Sequence, residues 1–309
     1  MNTEQLLTQI RSNRELLEAG NIHAVEHFQM LSSNYTHLFN EEVILNIELS
    51  KSYVAFNVNS DYRQAIDVSL AVLDTYRQTE YTNLLSRHMR VIGNSYAYLG
   101  EYDLAERFFI EAMDSLAPRD ELYRVTKSHL LFSLAKLYEY NNKGHEKAVD
   151  YLNQAMALLT HDNDSPRRAM CYMGLGNIYN SLNNLPEALD KYNHACQIFE
   201  ARYDLSNMAN VYCNIGNCYL KQDNFDLAVE FQTKALQLRI KSGSPHELAL
   251  SYYNFGVLYT ATRELAQAED ALAKAFHIVA ELGDKPFLAQ INEQMDHMYA
   301  IKRRQKEKP

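Results

Sequence analysis

The sequence predicts an all-α chain built as a solenoid of paired helices, and three observations carry that prediction. Self-comparison of the 309 residues shows a repeat of about 40 residues. Within each copy apolar residues recur at three and four positions, which places them on one face of a helix, as in Tyr172, Leu175, Tyr179 and then Ala188, Tyr192, Ala195. Only 10 glycines and 6 prolines punctuate the chain, too few for the turns of a β-rich fold, while 47% hydrophobic residues supply ample core.

The clearest copies are Gly176-Asn177-Ile178-Tyr179, Gly216-Asn217-Cys218-Tyr219 and Gly256-Val257-Leu258-Tyr259. Each is followed at fixed spacing by two alanines: Ala188 and Ala195, Ala228 and Ala235, Ala268 and Ala275. The template also fits Gly93, Tyr96, Ala105 and Ala112, and, with one extra residue in the turn, Ala135, Tyr138, Ala148 and Ala155. Weaker copies sit at Tyr53, Ala65, Val72 and, for the second half only, at Ala24, Phe28, Leu31. About seven units follow, at 3–38, 40–78, 81–117, 121–160, 165–201, 205–242 and 245–283. Each reads as a helix A, a short polar turn and a helix B. Ser165-Pro166 and Ser244-Pro245 read as an N-cap and a first helical position, and Gly243 and Gly283 fall where a helix B should stop. A last amphipathic helix over 286–308, carrying Phe287, Ile291, Met295 and Tyr299 and ending in a basic tail, is expected to cap the array.

Composition excludes several classes. No apolar run approaches the roughly 20 residues that cross a bilayer, and MNTEQLLTQI has no basic stretch ahead of an apolar one, so an unsecreted, cytoplasmic protein is expected. Cys171, Cys196, Cys213 and Cys218 form no C-x-x-C pair, which predicts reduced thiols and no zinc knuckle. A net charge of -9 argues against direct nucleic-acid or anionic-membrane partners. Phosphate-cradling and nucleophile-elbow motifs do not occur. His23-Ala24-Val25-Glu26-His27 matches the H-x-x-E-H of some zinc peptidases, yet Ala24 and Phe28 take packing positions, so His23 and His27 should face outward. No catalytic residue, metal or cofactor is therefore expected.

Glycine and tyrosine on helix A, with alanine, an aromatic and alanine spaced along helix B, resemble the tetratricopeptide repeat over nearly the whole chain. Its length is similar to that of the long-repeat subclass in Pins-type adaptors and Rap-type bacterial peptide sensors. Two departures stand out: Ser50 replaces the helix-A glycine of the second unit, and Gln232 stands where Tyr192 predicts an aromatic. The resemblance implies a right-handed superhelix whose helices A line a concave, protein- or peptide-binding face. Positions beside the glycine, one turn before it and just after the tyrosine then give ligand-binding candidates: Arg87, Arg90, Asn94, Lys136, Tyr140, Met173, Asn177, Asn180, Asn210, Asn217, Lys221 and Tyr253. Asn94, Asn177 and Asn217 recur at one position, where a carboxamide offers two donors and an acceptor to an extended backbone. The same position equally suits a bond to the next repeat, and Arg87 with Arg90 equally suits an internal salt bridge. Tyr96, Tyr138, Tyr179, Tyr219 and Tyr259 belong to the packing position. The expected function is a noncatalytic scaffold for an extended peptide or partner protein, with acidic or C-terminal carboxylate groups suited to its cations. The alternative is a peptide-responsive sensor acting through a partner or output domain. Leu6, Leu7 and Ile10, taken as exposed on an uncapped first repeat, would allow copies to pair end to end.

Overall fold

The computed structural model describes residues 1–18, 21–76, 78–118, 122–140, 144–159 and 165–306. Among them are fifteen α-helices and no strand. In order these are α1 (Thr3–Glu18) and α2 (Ala24–Asn34), α3 (Glu41–Tyr53) and α4 (Tyr62–Thr75), α5 (Thr82–Tyr98) and α6 (Tyr102–Asp114), α7 (Tyr123–Tyr140) and α8 (His145–Leu158). Then come α9 (Pro166–Ser181) and α10 (Leu185–Ala201), α11 (Leu205–Lys221) and α12 (Phe225–Ser242), α13 (Pro245–Ala261) and α14 (Leu265–Leu282), and finally α15 (Lys285–Lys306). The basic tail beyond Lys306 lies outside the described residues. None of the described helices is long and apolar enough to cross a membrane.

The chain forms two compact units, Met1–Asn163 and Asp164–Pro309. Inside the first, the A helices α1, α3, α5 and α7 pack in a row, while α4 and α6 each wedge between their own helix A and the next one. The second repeats this arrangement, with α9, α11, α13 and α15 in the row and α10, α12 and α14 wedged behind it. Both units are all-α solenoids of stacked helix pairs.

Local chemistry explains the repeating pair. Asn40, Asp61, Asp204, Asn224 and Ser244 cap α3, α4, α11, α12 and α13 by accepting from the backbone N–H three residues on, at about 1 kcal/mol per cap. Ser165 precedes Pro166 as expected but makes no capping bond. Between paired helices the chain closes on the repeat's tyrosine: the amides of Glu101, Asn184, Asn224 and Glu264 donate to the carbonyls of Tyr96, Tyr179, Tyr219 and Tyr259 at 2.8–2.9 Å. The residue before each of those amides is left-handed, with Asn183 at φ 58°, Asp223 at 55° and Arg263 at 67°, a conformation asparagine and aspartate tolerate better than arginine.

Above the turn, a helix-B side chain drops into the notch left by the helix-A glycine. A methyl built on Gly93 would meet the Phe109 ring at 2.5 Å, and one on Gly176 would meet Tyr192 at 2.5 Å. At Gly216 the neighbour is Gln232, whose flexible end would be met at 3.1 Å. Phe109 and Tyr192 are wholly buried.

The first repeat departs from expectation. Leu6 and Ile10 are fully buried and Leu7 nearly so, because α1 packs on both α2 and α3, so these residues offer no apolar end for pairing. His23 and His27 are exposed beside buried Ala24 and Phe28. The α3 helix overruns into a π-helical turn, Val54–Val58, which lets Asn57 Nδ2 donate to the carbonyls of Leu17 and Glu18 at 3.2 Å each.

His88 on α5 is sealed between α3 and α4. Nε2 lies 3.3 Å from the Leu45 carbonyl, which only accepts, so Nε2 carries the proton and Nδ1 accepts from Ser69 Oγ at 3.2 Å. Ser69 Oγ in turn bonds Ser52 Oγ at 2.9 Å. Burial, with Arg14 and Arg87 adding like charge, pushes the imidazole from 6.5 down to about 4.

Two outcomes follow. Between pH 6.5 and about 4 the unfolded chain takes up a proton at His88 that the folded chain refuses. Stability should therefore fall on acidification through that window, by about 3 kcal/mol in all, and urea melts of His88→Gln should show a shallower pH slope. In melts at neutral pH, Gly176→Ala should lose roughly 1–3 kcal/mol through overpacking on Tyr192, whereas Gly216→Ala should lose less, because its methyl meets Gln232 at 3.1 Å and the Ala228 carbonyl at 3.3 Å rather than a ring at 2.5 Å, and alanine favours the helix.

Candidate functional site

The A-helix face of the second unit gathers five of the predicted asparagine and lysine positions. Asn177 and Asn180 lie on α9, and Asn210, Asn217 and Lys221 on α11; all four asparagines are half-buried. Asn177 Oδ1 accepts from the Tyr192 hydroxyl at 2.8 Å and from Asn214 Nδ2 at 3.0 Å. Asn217 Oδ1 accepts from Gln232 Nε2 at 3.0 Å, and that nitrogen also donates to the Cys213 carbonyl at 3.2 Å. A backbone carbonyl can only accept, so it fixes which way round Gln232 sits, and Gln232 in turn fixes Asn217. Asn210 Oδ1 is held by Arg239 at 2.8 Å, and Lys221 Nζ donates to both the carbonyl and Oδ1 of Asn180 at 2.8 Å.

In all four cases the carboxamide oxygen is committed to another side chain and the NH2 group is left over. Among the described residues nothing accepts those protons, and none of the four nitrogens is sealed from solvent. The asparagines thus bond neighbouring helices while their NH2 groups keep access to solvent. One cost is visible: Gln232 is 2% exposed, and its Oε1 is shut away from water without a partner, a penalty of about 1–3 kcal/mol.

Two contributors were missed. Asn214 and Asn254 each stand two residues before a repeat glycine, so the 40-residue period points to them as plainly as to Asn177 and Asn217. Asn254 Nδ2 reaches Cys213 Sγ at 3.4 Å, which leaves the oxygens of both asparagines as acceptors beside the row of donors. The other second-unit candidates are more deeply engaged in packing. Met173 packs into the cluster around Tyr192 and Phe199, and the Tyr253 ring meets Phe287 of α15 edge-on, with centroids 5.7 Å apart. Burial, with the charge of Glu293, raises the Tyr253 hydroxyl above its ordinary pKa.

In the first unit the candidates divide. The Asn94 side chain on α5 is half-buried and makes no hydrogen bond among the described residues. The Lys136 ammonium lies 5.5 Å over the ring of Tyr140, which is 59% exposed. Arg87 and Arg90 differ from the expectation of a ligand-facing pair, being 8% and 6% exposed and both bonded to Glu18. Their charge is directed at the end of α1, which is the internal salt bridge that the sequence left open. Elsewhere, burial pushes the Cys171 thiol up to about 12 and the Cys218 thiol up to about 11, so neither offers a thiolate. Among the described residues no three histidine, cysteine or acidic side chains come close enough to hold a metal ion.

The tetratricopeptide repeat profile matches residues 128–201 and 207–280. No curated protein matches the chain in sequence. Among solved structures it is similar to a Rap protein complexed with competence and sporulation factor, at 16% identity and a TM-score of 0.73, covering 93% of this chain and 80% of that one. It is likewise similar to NprR in complex with its cognate peptide NprX, at 15% identity and 0.66, covering 96% and 84%. A third is BtubC (BKLC) from P. vanneervenii, at 21% identity and 0.57, covering 72% and 90%. The repeat glycine and tyrosine, the closed turn between paired helices and the matched profile agree: residues 128–201 and 207–280 are tetratricopeptide repeats, set within two units of stacked helix pairs.

Proposed function

We propose that the second unit binds an extended peptide along the row of α9, α11 and α13, without catalysing a reaction on it. The observation that carries this reading is the fixed orientation of the carboxamides. With their oxygens tied to Tyr192, Gln232, Arg239 and Lys221, Asn177, Asn217, Asn210 and Asn180 keep NH2 groups that no described residue accepts and that are not sealed from solvent. An extended chain offers unpaired carbonyls at regular intervals, and fixed donors meet them without the entropy cost of ordering free side chains. The oxygens of Asn214 and Asn254 suit the intervening backbone N–H groups. The Lys221 ammonium has a third proton for a ligand carboxylate. Two solved structures of similar fold, the Rap and NprR complexes, hold a peptide or a factor, which favours a peptide over a folded partner.

Aspartate separates this role from a structural one, because it keeps an inward oxygen for Tyr192 and Gln232 and replaces the outward donor with an acceptor. Peptide-library display on the wild type and on Asn177→Asp/Asn217→Asp should show unchanged helical content and at least a roughly tenfold loss of affinity for the captured peptides, about 1.4 kcal/mol. Equal capture by a folded double variant would contradict the proposal.

A further inference from the structure

The first unit buries more positive than negative charge at one place. Arg14 on α1 and Arg87 and Arg90 on α5 are 4%, 8% and 6% exposed. Arg14 donates to Asn46 Oδ1 on α3, Arg87 to Glu18 Oε2 at 3.2 Å, and Arg90 both to Glu18 Oε1 and to the Tyr53 hydroxyl at 2.8 Å. His129 Nδ1 on α7 lies 3.6 Å from Glu18. Among the described residues, Glu18 is the carboxylate whose charge acts on both Arg14 and Arg90. Three guanidinium groups therefore converge where one carboxylate stands, and the Nε of each is shut away from water without a partner.

Unpaired buried charge is costly, and here its effect is visible on Arg14. Burial first, and then the neighbouring Arg87, pull its pKa down to about 9. The carboxylate that offsets the cluster, held by Arg87 and Arg90 with His129 beside it, sits at an unfavourable place on its helix. Glu18 ends α1, the end of a helix where negative charge is disfavoured, and Asn57 steadies that end only through the carbonyls of Leu17 and Glu18. Its side chain, at 17% exposure, is also the one through which solvent reaches the cluster most readily.

We propose that Arg14, Arg87 and Arg90 form an oxyanion site for a doubly charged, phosphate-type group, and that Glu18 occupies this site as an internal stand-in that the ligand displaces. With Glu18 displaced, three guanidinium charges face the site, and a dianion offsets more of that charge than a single carboxylate does. Its oxygens also suit the forked donors of guanidinium groups better than a single carboxylate does. The site lies in the first unit and does not depend on the asparagine row of the second.

The test uses inorganic phosphate as the probe and sodium chloride at matched ionic strength as the control, on the full chain. Thermal melts and phosphorus NMR titrations are run on the wild type, on Glu18→Gln, and on Glu18→Gln/Arg87→Gln. Glu18→Gln removes the competing carboxylate. It should melt lower than the wild type in chloride, recover in phosphate, and bind phosphate at least about tenfold more tightly. Adding Arg87→Gln should weaken that binding at least about fivefold. If phosphate shifts neither the wild type nor Glu18→Gln beyond the chloride control, or if Arg87→Gln leaves the binding unchanged, the proposal is overturned.

Discussion

The contact on which the rest of the molecule depends is the seating of a helix-B side chain in the notch of a helix-A glycine. Tyr192 against Gly176 and Phe109 against Gly93 approach so closely that even a methyl group could not intervene. The contact sets how near two paired helices lie, and the tyrosine-closed turn sets where the second begins. In the second unit the seated residue has a further role, because Tyr192 continues past the glycine to bond Asn177, and Gln232 does the same for Asn217. Packing and presentation of the candidate site are thus one interaction at these two positions.

That coupling explains Gln232, which broke the aromatic pattern of the repeat. An aromatic ring there would fill the notch and leave nothing to turn Asn217, unless it carried a hydroxyl as Tyr192 does. Glutamine bridges the Cys213 carbonyl and Asn217, at the cost of its own buried Oε1.

The helical pairing was legible in the sequence because it is local: the 3.6-residue face, the glycine-tyrosine turn and the 40-residue period each show within one or two copies. The asparagine row was legible for the same reason, although Asn214 and Asn254 were passed over despite keeping the same period. What the sequence left open depended on contacts between distant segments. Arg87 and Arg90 occupy helix-A positions that suggest a ligand, and only the fold brings Glu18, some seventy residues earlier, against them. Leu6, Leu7 and Ile10 read as an open end in the sequence because their cover, α2 and α3, carries the weakest copies of the repeat. The π-helical turn that places Asn57 over α1 has no sequence signature at all.

The central claim is that Asn177 and Asn217 hold their amide groups toward the ligand before any ligand arrives. Side-chain amide NMR of these two residues, recorded free and with a bound peptide, tests it directly. The account predicts slowly rotating NH2 groups in the free protein, whose proton resonances move downfield on binding while the bonds to Tyr192 and Gln232 persist. Freely rotating amides in the free protein, or amide signals that stay in place while a peptide binds, would contradict it.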